Sequence, residues 1–116
     1  MSSPQRGDIW LVNFDPTVGA EIQKSRRAVV VSVNSVGKLP LKIVVPVTGW
    51  DTKYETMPWI VRIPKTDSNR LSKESAADCY QIKSVSLKRF SRKLGCLSSA
   101  KLDEVCAAVQ LCIGAI

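Results

Sequence analysis

Apolar positions along this chain recur with two different periods. The first period is that of a β-strand. Ile9-Trp10-Leu11-Val12-Asn13-Phe14 reads as a strand entered by Gly7-Asp8 and stopped by Asp15-Pro16. Side chains alternate across a strand, so Trp10, Val12 and Phe14 share one face and Ile9, Leu11 and Asn13 the other. Ala28–Val33, dominated by valine, predicts a strand buried on both faces or closed in a barrel. Ile43–Thr48 predicts another. Its Pro46 has no N–H for a ladder hydrogen bond and so predicts an edge or a bulge. Trp59–Ile63, ended by Pro64, predicts a fourth strand, Ala77–Ile82 a fifth, and Arg89–Leu94, stopped by Gly95, a sixth. A minor helical turn is expected around Ser72–Ala76.

The second period is helical. Leu102, Val105, Cys106, Val109, Cys112, Ile113 and Ile116 fall at i, i+3, i+4, i+7 spacing. Ser98 or Ser99 is the predicted N-cap, Asp103 and Glu104 lie near the positive end of the helix dipole, and Gly114 is the predicted stop. Many short strands followed by one amphipathic helix predict a small, strongly curved sheet or barrel with a helix packed on it. Thr17–Ser25 has turn formers and charge but little apolar content. It reads as an exposed loop longer than the usual hairpin connection of about two to five residues, and such loops tend to carry function.

The 116 residues show no repeat, low-complexity segment or linker and read as one domain, 1–116. The net charge of +7 suits a polyanionic partner, usually nucleic acid, and a merely solvated basic surface about equally. There is no histidine. That excludes Ser-His-Asp and Cys-His nucleophiles, histidine zinc sites and paired-histidine ribonuclease chemistry, leaving carboxylates, arginine, lysine, hydroxyls and thiols. Cys79, Cys96, Cys106 and Cys112 have no C-x-x-C spacing, which speaks against zinc or thioredoxin-like chemistry. With no apolar run at the N-terminus and none long enough to span a membrane, the expectation is a cytoplasmic protein with reduced cysteines.

Two basic regions stand out. Lys83, Lys88, Arg89, Arg92 and Lys93 cluster without an acid, either to meet phosphates or to solubilise a turn. Tyr80 and Phe90 flank them, as stacking platforms or as core, and Trp50 sits in a turn-rich stretch where it is a candidate for exposure. At the mouth of the valine strand, Gly19-Ala20-Glu21 is followed by Lys24-Ser25-Arg26-Arg27. An arginine fork bonds two phosphate oxygens at once and stays charged, and a nearby carboxylate can take a proton. On composition alone, an ordinary Glu–Arg surface pair is the better reading of these residues.

Arg6-Gly7-Asp8-Ile9-Trp10, Phe14-Asp15-Pro16-Thr17, Gly19-Ala20-Glu21 and Arg26, followed by Val45-Pro46-Val47-Thr48, Gln81-Ile82-Lys83-Ser84 and Leu94-Gly95, resemble in order the MazF/PemK family, ribonuclease toxins of bacterial toxin–antitoxin pairs. The resemblance covers nearly the whole chain and changes the reading of Glu21 and Arg26. It implies a CcdB/MazF-like fold, mainly β with α: a small curved antiparallel sheet or SH3-like barrel with a C-terminal helix, working as a homodimer. It implies metal-independent cleavage of single-stranded RNA, no cofactor, and a cognate antitoxin. Arg26 stands where the family carries its catalytic arginine and Thr48 where it carries its catalytic threonine; Glu21 matches an acidic residue tied to activity. Residues 17–25 match the loop that covers the RNA site.

Arg27, Lys24, Gln81, Tyr80, Lys83 and Trp50 are the expected RNA-binding residues. Three positions depart from the family pattern: Arg27 replaces a proline, leaving open which arginine reaches the phosphate; Ala20 replaces a serine; Tyr80 replaces an acid, so that a ring can stack where a carboxylate would accept hydrogen bonds. The absence of histidine is then a constraint on mechanism, because the 2′-OH of RNA can itself be the nucleophile. The alternative is a non-catalytic toxin or a nucleic-acid- or gyrase-binding module on the same fold, since fold does not settle function.

Overall fold

The computed structural model describes residues 3–35 and 39–115. Among these residues, seven strands and one helix follow in chain order: β1 Asp8–Asn13, β2 Ser25–Val30, β3 Leu41–Gly49, β4 Ile60–Ile63, β5 Ser75–Asp78, β6 Lys83–Ser86, β7 Phe90–Cys96 and α1 Ser99–Ile113. Short 3₁₀ turns at Thr52–Thr56, Cys79–Gln81 and Leu87–Arg89 lie between strands. The pairings are antiparallel, in the order β4-β5-β3-β2-β1-β7, with β6 also on β3. Register shifts between Ile9 and Trp10 and between Leu11 and Val12 bend β1 against β7.

The alternation read from the sequence separates two cores. Ile9, Val29, Val45, Val47, Val61 and Ile63 pack on one face, under Val105 and Ala108 of α1. Trp10, Val12, Phe14, Ala28, Val30 and Val44 pack on the other, closed by Val85 of β6 and by Phe90. Phe90 meets Trp10 edge-on at 5.8 Å between centroids, so this ring belongs to the core. The opening motif has a structural content of its own. Gly7, at φ +90°, donates to the Val30 carbonyl at 2.8 Å, and Asp8 accepts from the Gln5 N–H and the Trp10 indole. Helix α1 is capped at its start by Ser98, whose Oγ accepts from the Lys101 N–H, and at its end by a left-handed Gly114. Ile113 is exposed rather than packed, and Ile116 lies outside the described residues. No helix among the described residues is long and apolar enough to cross a membrane.

Four expectations are corrected. First, Pro46 is in a central strand, not at an edge. The Ile43 N–H and carbonyl both bond toward the end of β2, so alternation directs Pro46 to the opposite side. There β6 pairing stops at Val44 and β5 pairing starts at Val47, so the missing donor falls where the partner changes. Second, β2 starts at Ser25 and ends at Val30, because β1 supplies partners to its polar start. Third, β5 begins at Ser75, which replaces the expected helical turn, and Cys79–Gln81 turn as 3₁₀. Fourth, Lys83–Ser86 forms β6, and β7 runs through Gly95 instead of stopping there. At Gly95 a Cβ would stand 2.5 Å from the Ser68 carbonyl oxygen and 2.7 Å from the Asn69 backbone. The glycine admits the 64–71 loop against β7.

Candidate active site

The β2–β3 ladder pairs Ala28 with Pro46 and Arg27 with Val47. One further step along the same register carries Thr48 opposite Arg26, and alternation puts both on the face of Ala28 and Pro46. On its other side Thr48 pairs with Ala76 of β5, which pairs with Arg62 of β4. One row across four strands therefore carries Arg26, Thr48 and Arg62. Arg26 is exposed and donates from Nε to the Gln23 carbonyl at 3.2 Å, leaving its other N–H groups for a ligand. Thr48 is half-buried.

Two residues beyond Thr48, Trp50 lies half-buried under the Arg62 guanidinium, 4.5 Å from the ring centroid. Arg62 also pairs with Glu74, and that carboxylate holds its guanidinium above its ordinary pKa. Trp50 is thus a braced wall rather than a free ring. The sequence singled out neither Arg62 nor Glu74; they meet only because β4 and β5 pair, and no local motif carries that signal.

A cleft of about 480 Å³ opens over Pro46, two residues before Thr48, and is lined also by Phe14, Val18, Glu21, Tyr80 and Lys83, while Arg26, Thr48 and Arg62 stand outside its lining. Gln81 ties the 17–25 loop to its floor: its Oε1 accepts from the Ile22 N–H at 2.9 Å and its Nε2 donates to the Ala20 carbonyl at 3.1 Å. Tyr80 is 72 % exposed, 6.3 Å from Trp59 between centroids. Lys24 sits at φ +64° and donates its N–H to Asp15.

Glu21 is not joined to Arg26. Its carboxylate accepts from the Val18 N–H at 2.7 Å and lies 3.7 Å from the Lys83 ammonium. Among the described residues, the Glu–Arg surface pair that composition alone suggested is not formed. The basic run from Lys83 to Lys93 is not one patch either: Lys93 pairs with Asp8, while Arg89 donates to the Asn13 and Asp15 carbonyls. Arg27 points away from the cleft, donating to Ser72 Oγ at 3.2 Å. Among the described residues, no group of three or more Cys, Asp and Glu side chains is placed to hold a metal ion.

Residues 5–113 match the family described as PemK-like, MazF-like toxin of type II toxin-antitoxin system. The chain is 33% identical over 113 residues to endoribonuclease MazF9 of Mycobacterium tuberculosis, covering 92% of this chain and 93% of that protein. It is 34% identical over 112 residues to endoribonuclease MazF of Staphylococcus saprophyticus, covering 95% and 91%. In fold it is similar to a crystal structure of MazF from Deinococcus radiodurans, with a TM-score of 0.82 at 23% identity over 98% of this chain and 99% of that one. It is also similar to a mycobacterial endoribonuclease solved in complex with its cognate antitoxin, with a TM-score of 0.75 at 17% identity over 97% and 96%. The motifs around Gly7, Glu21, Arg26 and Thr48, the sheet that aligns them and these likenesses agree, and the chain belongs to the PemK-like, MazF-like toxin family of type II toxin–antitoxin systems.

Proposed function

We propose that this chain, a single toxin domain, is a sequence-specific endoribonuclease that cuts single-stranded RNA without a metal ion. The observation that carries this reading is the register that sets Arg26 beside Thr48 on adjacent strands, next to a cleft roofed by the 17–25 loop. The 2′-OH of the substrate attacks its own phosphate and the 5′-oxygen leaves, so the products carry a 2′,3′-cyclic phosphate and a 5′-OH. Arg26 supplies fixed positive charge where the phosphate gains negative charge, and the Thr48 hydroxyl hydrogen-bonds a phosphate oxygen. Glu21 takes the 2′-OH proton once RNA displaces its contacts with Val18 and Lys83. Tyr80 stacks on an unpaired base, Gln81 and Lys83 line its path, Lys24 and Trp50 border it, and Arg27 meets the RNA backbone on the far side of β2. The enzyme acts as a homodimer in the cytoplasm. A cognate antitoxin silences it by ordering an acidic segment on the basic groove.

The test is incubation with a mixed single-stranded RNA in the presence of a chelator. Wild type cuts, and Arg26→Ala lowers the rate by about 10²–10³-fold, the usual cost of one aimed donor. DNA of the same sequence stays intact because it lacks the nucleophile. Intact RNA with wild type, or equal cutting by Arg26→Ala, would overturn the reading.

A further inference from the structure

Behind the start of β2 lies a second cleft, in which Arg26, Arg27, Arg70 and Arg92 surround Leu11 and Leu94. We propose that Arg27, Arg70 and Arg92 form a separate phosphate-binding subsite, which holds a phosphodiester of the RNA backbone adjacent to the one cut at Arg26 and Thr48. This inference rests on the endoribonuclease reading above.

The sheet builds most of this cleft. Leu11 pairs with Arg27 of β2 on one side and with Arg92 of β7 on the other, so two guanidiniums flank one leucine. Arg70 arrives from the loop before β5. It is held at φ +56°, a region that non-glycine residues seldom occupy. Asn69, 3 % exposed, fixes that loop: its Oδ1 accepts from the Thr66 and Leu71 N–H groups and its Nδ2 donates to the Pro64 carbonyl. The tight approach to Gly95 and the hydrogen bond from the Cys96 N–H to Ser68 fasten the same loop to β7. Arg70 is therefore presented by a braced turn.

Charge balance points to an anion. Among the described residues, the ion pairs join Glu74 to Arg62, Glu21 to Lys83, Asp8 to Lys93 and Glu104 to Lys101. None reaches Arg26, Arg27, Arg70 or Arg92. Like charges gathered without a counter-charge repel one another, and a bound anion relieves that repulsion. The choice of phosphodiester follows from the residue type and the site's shape. Arginine forks bind tetrahedral oxyanions from several directions at once. The floor is aliphatic, with no aromatic ring for a base, which suits recognition of a backbone. Arg26 and Arg27 are consecutive on β2 and so project to opposite faces at its exposed start. A chain with an anion at every link can cross that strand end and engage both.

The experiment measures binding of a 2′-O-methyl RNA oligonucleotide, which cannot be cut, across a range of salt concentrations. Arg70→Gln and Arg92→Gln should each weaken binding about tenfold, the scale of one charged hydrogen bond. Each should also make log K less steep against log salt, and the double variant should lower the slope by about 0.7, the value for one phosphate on a single strand. Lys101→Gln, which removes a cation on the helix, should change neither quantity.

Unchanged slope and affinity in Arg70→Gln and Arg92→Gln would overturn the subsite. So would weakened binding of an oligoglutamate peptide with RNA binding intact, which would assign the cleft to an acidic protein segment. Wild-type cutting that depends on Arg26 alongside an unchanged slope sinks this inference alone. A slope that depends on Arg70 and Arg92 without any cutting sinks the endoribonuclease reading and leaves the subsite standing.

Discussion

Asp78 ends β5 two residues beyond Ala76, the partner of Thr48, and so shares its face of the sheet. Burial pushes its carboxyl above the ordinary value of 3.8, against the opposing pull of hydrogen bonds from the Tyr80 and Gln81 backbone. The folded chain therefore binds this proton more tightly than the unfolded chain does. The stability it contributes is complete below the unfolded pKa and is lost as pH rises through the folded one. In urea unfolding, wild type should gain on Asp78→Asn as pH falls through the carboxylate range. At neutral pH Asp78→Asn should be the more stable, because its amide oxygen still accepts from Tyr80 without a half-buried charge. A difference between the two that does not vary with pH would refute this account. At this scale the sequence was informative only where chemistry is local. Glu21 and Arg26 stand in one short motif. Arg70 and Arg92 come from a distant loop and strand, and only pairing with Leu11 and the brace at Asn69 brings them together.

Elements were legible where burial imposed a period and illegible where partners alone made the strand. β1 and α1 bury alternating or helical stripes, and both lie where the pattern placed them within a residue or two. The Ser25-Arg26-Arg27 start of β2 and the Lys83-Ser84-Val85-Ser86 of β6 are polar, so composition suggested a loop and a binding patch. Hydrogen bonding to β1 and β3 overrides that preference. Gly95 shows the converse, a residue read as a stop signal whose role is spatial. Gly95→Ala would drive a Cβ into the backbone of Ser68 and Asn69, with no flexible side chain to yield. Overpacking of this kind costs about 1–3 kcal/mol, which should appear as an earlier urea midpoint. Because the 64–71 loop must retreat, RNA affinity should fall as well. A variant as stable as wild type would show that the loop is not pinned there.

At the scale of the whole molecule, a rigid sheet carries Arg26 and Thr48 while a tethered loop covers the cleft beside them. The sheet's valines are buried against two cores, so exchange of their amides is expected to require global unfolding. The 17–25 loop is anchored more lightly, by Ile22 packed half-buried against the Trp10 and Phe14 core and by the Phe14 N–H donating to the Lys24 carbonyl. Its Val18 is 80 % exposed, and its other ties run through Gln81, Lys83 and the Lys24–Asp15 hydrogen bond. Opening the cleft and unfolding the protein are then separate events, and Gln81 is the side chain that holds the loop backbone by two hydrogen bonds. Gln81→Ala removes two hydrogen bonds to the loop backbone, worth about 1–3 kcal/mol together. The Ile22 amide should exchange about ten- to a hundredfold faster, while amides of Val29 and Val45 keep wild-type protection. If an acidic antitoxin segment acts by shifting this loop, Gln81→Ala should also bind it more tightly, since part of the opening cost has already been removed. Equal exchange at Ile22 in both proteins would show that Gln81 does not hold the loop. Faster exchange spread across β2 and β3 would show that loop and sheet open as one unit.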